Sequence, residues 1–375
     1  MRPLWRPLLL ACALVAAACG AEAPAPTAPS ASPTAARASP TAGPPVITLI
    51  ALGDPRQAPR WVTGRWVSTL PLLEVRVSVT PASPFACAAT LDVGRQSGTY
   101  ECVGLLPAST DVRVELLGTG GQGAQASASR SFRTMGERLT GVPWFTEFED
   151  PNGEALACAA ASVRIIQVFT MGRDVATARQ ILERGMPLNK SADPGIDPAA
   201  IAAVISSLEP ANRYHYYRYP TRESATKAAV YWLARSAKPV IALSLAGQHG
   251  PIITGYTGSI GPTFADAAVI TGLVVEDPQR GDTDPATAKH RPDKSRSVEF
   301  QTGKLIGIAE WYGDEWWFRD AYKGSIVFNV DARVHDVDRN DGLYPSPHWD
   351  GTFVILVDDG DLSTPPDREG HISAR

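Results

Sequence analysis

The hydrophobic period of this chain changes once, near residue 140, and that change limits the folds open to it. From Val46 to about Thr134 the chain runs in short alternating stretches broken by Gly, Pro and Ser: VITLIAL, LEVRVSVT, CAATLDV, GTYECV, DVRVELLG and SASRSFRT. A period of two turns one face of each stretch toward a core and the other toward water, as in a half-buried strand. Six or seven such stretches in this length predict a small β-sandwich over residues 46–135. From Gly141 the period becomes helical in LACAAASVRIIQVFTMG, DVATARQILERG, PAAIAAVISSLE and RESATKAAVYWLARSAK. Pro239 stops the last of these, and VIALSLAG, IITGYTG and AAVITGLVVEDP follow as strands. Helices first and a sheet second predict an α+β domain over residues 141–360, with helices packed on an antiparallel sheet. WYGDEWWFRDAYKGSIVFNVD and GTFVILVDDG are expected to add a helix and further strands, and residues 361–375 read as a flexible tail.

The sandwich is preceded by segments with nothing to fold. Residues 1–19 carry Arg2 and Arg6, a short apolar run from Leu8 to Ala18, and small residues before Cys19, the layout of an export signal. That run is too short for a permanent membrane span. VAAAC followed by Gly20 resembles a bacterial lipoprotein cleavage box with Cys19 as the lipidated residue; ordinary signal cleavage and secretion is the alternative. Residues 20–45 are almost entirely Ala, Pro, Ser and Thr and read as a disordered tether. The expected location is therefore the outer face of the cell membrane, through a lipid anchor, or the medium.

An exported body puts its cysteines in an oxidising compartment. Of five cysteines, Cys12 lies in the signal and Cys19 is the lipid candidate, leaving Cys87, Cys102 and Cys158. Cys87 and Cys102 are close in sequence and form the natural disulfide, with Tyr100 and Cys102 on one strand face. A loop of that size stabilises a domain by roughly 3 kcal/mol in the chain-entropy model. Cys158 is then a thiol left over.

Cys158 follows the turn-rich stretch DPNGEALA and opens a helical run. Unpaired N–H groups and the positive dipole end at a helix start favour the thiolate, the nucleophilic form. Packing as a small apolar residue among alanines is the alternative. His249 sits in LAGQHGPIITGY, where an apolar strand leaves a loop, and could take the thiol proton and return it to a leaving group. Asp277 ends the next strong strand, in GLVVEDPQRG. An aspartate before Pro is a routine turn residue, yet antiparallel neighbours would set its carboxylate beside His249 to orient the imidazole.

VPWF with ACAAAS, then KPVIALSLAGQHGPIITGY, then VVEDPQRG, together resemble the papain-like cysteine peptidases of the bacteriocin-processing, C39-like type, over residues 141–285. The resemblance implies Cys158 as nucleophile, His249 as general base and acid, Asp277 as orienter, and a peptide or protein substrate. It implies no cofactor. The chain departs from the family in two respects. Ala159 and Ala160 stand where Gly-Pro is common, and Glu147 falls in the slot of the oxyanion glutamine, with Asn152 as a second amide candidate. An ionised Glu147 would repel a developing oxyanion and disfavour the thiolate, so a weakly active or inactive binding module is the alternative function. Separately, GTYECVGLLPASTDVRVELLGTGGQGAQASASRSFRT resembles the closing strands of a fibronectin type III domain, which implies a spacer or binding role.

Other signals point to bland roles. A net charge of −4 provides no basic field for nucleic acid. HDVDRNDG places Asp336, Asp338 and Asn340 at alternate positions, as in a calcium loop, but Gly342 comes one residue late and Pro347 stands where Glu is required. It reads as a solvated acidic turn. Trp311, Trp316 and Trp317 are expected to be packing residues rather than a ligand surface. His215, His290, His335, His348 and His371 show no metal-ligand spacing, so no metal site is expected.

Overall fold

A computed structural model describes residues 43–50, 57–81, 86–147, 157–190, 195–243, 249–278, 303–312, 329–330, 352–360 and 371–372. Cys19 and the signal, Asn152, Trp316, Trp317 and the acidic loop at 335–342 lie outside the described residues.

Among the described residues the first half builds seven strands. These are β1 (Ile47–Leu49), β2 (Trp61–Ser68), β3 (Leu72–Thr80), β4 (Cys87–Ala89), β5 (Ser97–Leu105), β6 (Asp111–Gly120) and β7 (Gln125–Arg133). They divide into a sheet of order β1-β2-β5-β4 and a sheet of order β3-β6-β7. This is the four-and-three partition of constant-type immunoglobulin sandwiches. Inward residues at every second position of β5 and β6, among them Tyr100, Cys102, Val112, Val114 and Leu116, join Trp66 and Leu72 in one core. Gly64 lies opposite Tyr100, where any side chain would run into the tyrosine ring, so the glycine admits the aromatic. Cys87 and Cys102 are a cross-strand pair of β4 and β5 and form the disulfide.

The second half is mixed α+β. Four helices, α1 (Cys158–Met171), α2 (Ala178–Gly185), α3 (Pro198–Leu208) and α4 (Arg222–Ser236), match the helical runs of the sequence. Thr177, Asp197 and Thr221 cap α2, α3 and α4 by accepting backbone N–H bonds, which satisfies donors that a bare helix start would leave open. The strands are β8 (Tyr214–Tyr219), β9 (Val240–Ala242), β10 (Ile252–Ile260), β11 (Ala268–Glu276), β12 (Lys304–Gly307), β13 (Asn329–Val330), β14 (Thr352–Asp358) and β15 (His371–Ile372), with a short helix α5 (Ile308–Tyr312). Among the described residues they form an antiparallel sheet of order β12-β11-β10-β9-β14-β8-β15, with β13 beside β14.

Both faces of this sheet are covered, and β14 shows how. Val354 and Leu356 face α1, α2 and α3, while Ile355 and Val357 face α4, all four fully buried. Strands buried on both faces read as continuous apolar runs, which TFVILVD is. Trp311 is a core residue, buried with the α4 face. Three features depart from the sequence expectation. The strands β2 and β8 arise from WVTGRWVS and YHYYRY, where no strand is expected, and β8 falls between two helices. In the expected flexible tail, His371 and Ile372 pair with Arg218 and Tyr217 of β8, because that strand offers an open edge there.

Residues 44–375 form one unit. The buried guanidinium of Arg60 donates to the Leu106 carbonyl at 2.6 Å and to the Tyr256 hydroxyl at 2.7 Å, tying the sandwich to β10. Around it Trp61 and Leu105 pack on Tyr231 and Ala234 of α4. The segment between the two halves runs along β10, with Leu139 N–H bonding Thr254 O and Tyr256 N–H bonding Glu137 O, each at 2.8 Å. Gly255 makes this approach possible, since a Cβ there would sit 2.8 Å from the Glu137 carbonyl.

Candidate functional site

The candidate site lies where β10 begins and β11 ends. Ile252 is in register with Glu276, so the residues just outside that pair, His249 and Asp277, share one end of the sheet. There His249 Nε2 meets Asp277 Oδ1 at 2.9 Å, with both residues buried. Asp277 is held in turn by the indole N–H of Trp144, which donates to its main-chain carbonyl at 3.0 Å. Glu147 N–H bonds the Pro278 carbonyl at 3.0 Å, so the VPWFTE segment is fastened along the Asp-Pro turn.

Helix α1 brings in the thiol. Cys158 is its first residue, it stays outside the disulfide, and it is buried. Residue 250, next to His249, lies flat on the first turns of α1. Its N–H hydrogen-bonds the Cys158 sulfur, as does that of Ala159. Its Cα approaches Ala159 so closely that an added Cβ would be in van der Waals contact at 3.6 Å. Its carbonyl accepts a 2.5 Å bond from the hydroxyl of Ser162. The three sequence-predicted residues are thus brought to one place, with the histidine ring linked to the carboxylate and its neighbouring peptide linked to the cysteine.

The electrostatics differ from the helix-start expectation. Burial pushes the Cys158 thiol well above its ordinary value; the Glu147 carboxyl adds to that shift and Asp277 adds less, while the amides of Gly250 and Ala159 oppose it. The helix end and its amides do favour the thiolate, but desolvation outweighs them. Glu147 is buried and close enough to the sulfur to act on it electrostatically. Behind this wall Arg164 stacks its guanidinium 4.0 Å from the Phe145 ring and pairs with Asp174.

Ser162 and Trp144 are contributors that the sequence argument missed. Ser162 stands four residues after Cys158 and therefore on the same face of α1, a spacing that could have flagged it. Trp144 had no signal beyond its place beside the VP pair. Among the described residues no group of three or more His, Cys, Asp or Glu is arranged to hold a metal ion.

No protein-family model matches the chain, and no curated protein matches it either.

Proposed function

We propose that this chain is an exported cysteine peptidase-like protein of papain-like fold, hydrolysing peptide or amide bonds through Cys158, His249 and Asp277. The observation that carries the reading is the buried 2.9 Å contact of His249 Nε2 with Asp277 Oδ1, set where the next amide, that of Gly250, meets the Cys158 sulfur. A buried imidazole–carboxylate pair beside a helix-borne thiol is the geometry of nucleophile, base and orienter.

With Nε2 held by Asp277, Nδ1 is the ring nitrogen for exchange with the thiol. In the proposed reaction the Sγ proton passes to Nδ1 and the sulfur bonds to the amide carbonyl carbon. The tetrahedral oxyanion then collapses, the C–N bond breaks, and the amine leaves with the proton from the imidazolium. Water attacks the thioester, gives one proton to Nδ1, and the C–S bond breaks to release the carboxylic acid; that proton returns to sulfur. Asp277 stabilises the imidazolium throughout without taking its proton.

Supporting the wider reading, the amino-terminal export signal and lipid-box residues would place the site beyond the cell membrane on the 20–45 tether. The test is a panel of peptide and amide substrates offered to the full chain. Turnover that disappears in Cys158→Ser and falls ~100-fold or more in His249→Ala is expected. Turnover that survives Cys158→Ser would overturn the proposal.

A second reading, a catalytically weak or inactive peptide-binding module, is favoured by one observation. Burial, with the nearby Glu147 carboxyl adding to it, raises the Cys158 thiol's pKa. Peptides that bind the wild type and Cys158→Ser equally, without turnover in either, would decide for it.

A further inference from the structure

The residues around Gly250 contain a hydrogen bond that no step above uses. Ser162 is fully buried inside α1, and its hydroxyl donates across to the Gly250 carbonyl at 2.5 Å rather than serving only its own helix. A helix-interior serine ordinarily bonds back to the carbonyl four residues earlier or turns toward solvent. Here it instead grips the peptide that follows the histidine. Cys158 and Ser162 are one turn apart on the same face, so the Gly250 residue is held twice by one helix, through its N–H at the sulfur and through its C=O at the hydroxyl. His249 is covalently attached to that residue, and its ring is fixed on the far side by Asp277.

We infer that Ser162 is a positioning residue, which sets the distance between the Cys158 sulfur and the His249 ring by clamping the Gly250 peptide to α1. The inference rests on the Cys158–His249 reading above and adds the device that holds the pair in register. Gly250 precedes β10 and is joined to α1, a separate element, by the Ser162 bond. A short, buried, directional bond limits movement between the two. Proton exchange between two heavy atoms is sensitive to displacements well below 1 Å, so a loss of register acts on rate far more than on stability.

The test uses the full chain and reads the rate at which iodoacetamide labels Cys158, across a pH series, in wild type, Ser162→Ala, His249→Ala and the double variant. A positioning role predicts that Ser162→Ala slows labelling on the order of tenfold and moves its pH profile, whereas the same substitution in the His249→Ala background changes nothing further. Equal slowing in both backgrounds would mark Ser162 as merely structural, and no slowing in either would remove it altogether. If His249→Ala alone leaves labelling unchanged, the Cys158–His249 pairing itself fails and this inference with it; if His249→Ala slows labelling and Ser162→Ala does not, only the serine's role is lost. Should Ser162→Ala fail to fold, Ser162→Thr and Ser162→Val have one shape and differ in the hydroxyl, and the threonine variant should label faster than the valine variant.

Discussion

Glu147 and Cys158 are both buried, and after burial itself the Glu147 carboxyl is the main influence raising the thiol's pKa. The residue is buried and its backbone is bonded to Pro278, so it has no easy route away from the thiol.

Removing the Glu147 carboxylate should lower the thiol's pKa in part, the shift due to burial remaining. Glu147→Gln keeps the shape and the backbone bond, so the Cys158 pKa should fall and labelling by iodoacetamide should speed up several-fold at neutral pH. Under the peptidase proposal the same variant also gains an amide donor beside the oxyanion, a feature whose removal elsewhere slows catalysis by ~100- to 1000-fold. Turnover should therefore rise. A labelling rate unchanged by the substitution would show that Glu147 does not control the thiol.

Glu276, the residue before Asp277, gives the domain a pH dependence. It is buried, and burial raises its pKa from 4.5 to about 8 against the opposing pull of Arg138 and the Gly303 amide. The native state then keeps a proton that the unfolded chain releases near its ordinary value. The native stability is fullest below about pH 4.5 on this account, falls as pH rises toward about 8, and levels off above it. The slope for one proton is at most roughly 1.4 kcal/mol per pH unit. Urea midpoints across that window should decline for wild type and stay flatter for Glu276→Gln; parallel lines would exclude Glu276 as the source.

The Cys87–Cys102 disulfide joins neighbouring strands 15 residues apart. Replacing both by Ala should destabilise the sandwich by roughly 3 kcal/mol, seen as a lower denaturant midpoint. A midpoint unmoved beyond error would mean the two strands are held fully by their ladder and core.

Arg60 joins the sandwich to the α+β half through two buried acceptors. Arg60→Ala leaves those acceptors without its guanidinium and should destabilise by ~2–4 kcal/mol. Calorimetry should show one unfolding transition in the wild type and a broadened or split one in the variant. A sharp single transition in both would mean that the apolar contacts of Trp61 and Leu105 suffice for coupling.

Much of this architecture could be read from local periodicity. The change from alternating to helical spacing marks where the sandwich stops and α1 to α4 begin, and TFVILVD announces a strand. What TFVILVD does not disclose is its central position between β9 and β8, because that pairing joins segments more than 100 residues apart. YHYYRY was missed for a related reason: nearly every residue of β8 is at least partly buried, so the alternation that marks a half-exposed strand is absent. At the site, His249 and Asp277 were legible because both sit at strand ends. The helix start at Cys158 was equally legible, but the burial that outweighs its dipole depends on Glu147 and β10 arriving from elsewhere in the chain. Ser162 stayed hidden because a serine in an alanine-rich helix resembles filler.

The stretch at 137–139 joins the two halves, yet it is hydrogen-bonded into the flank of β10, six residues beyond His249 at Gly255. It behaves as a seam rather than a hinge. Cutting the chain there would unstitch the strand that follows the histidine, so the amino-terminal sandwich cannot be trimmed away as an inert handle.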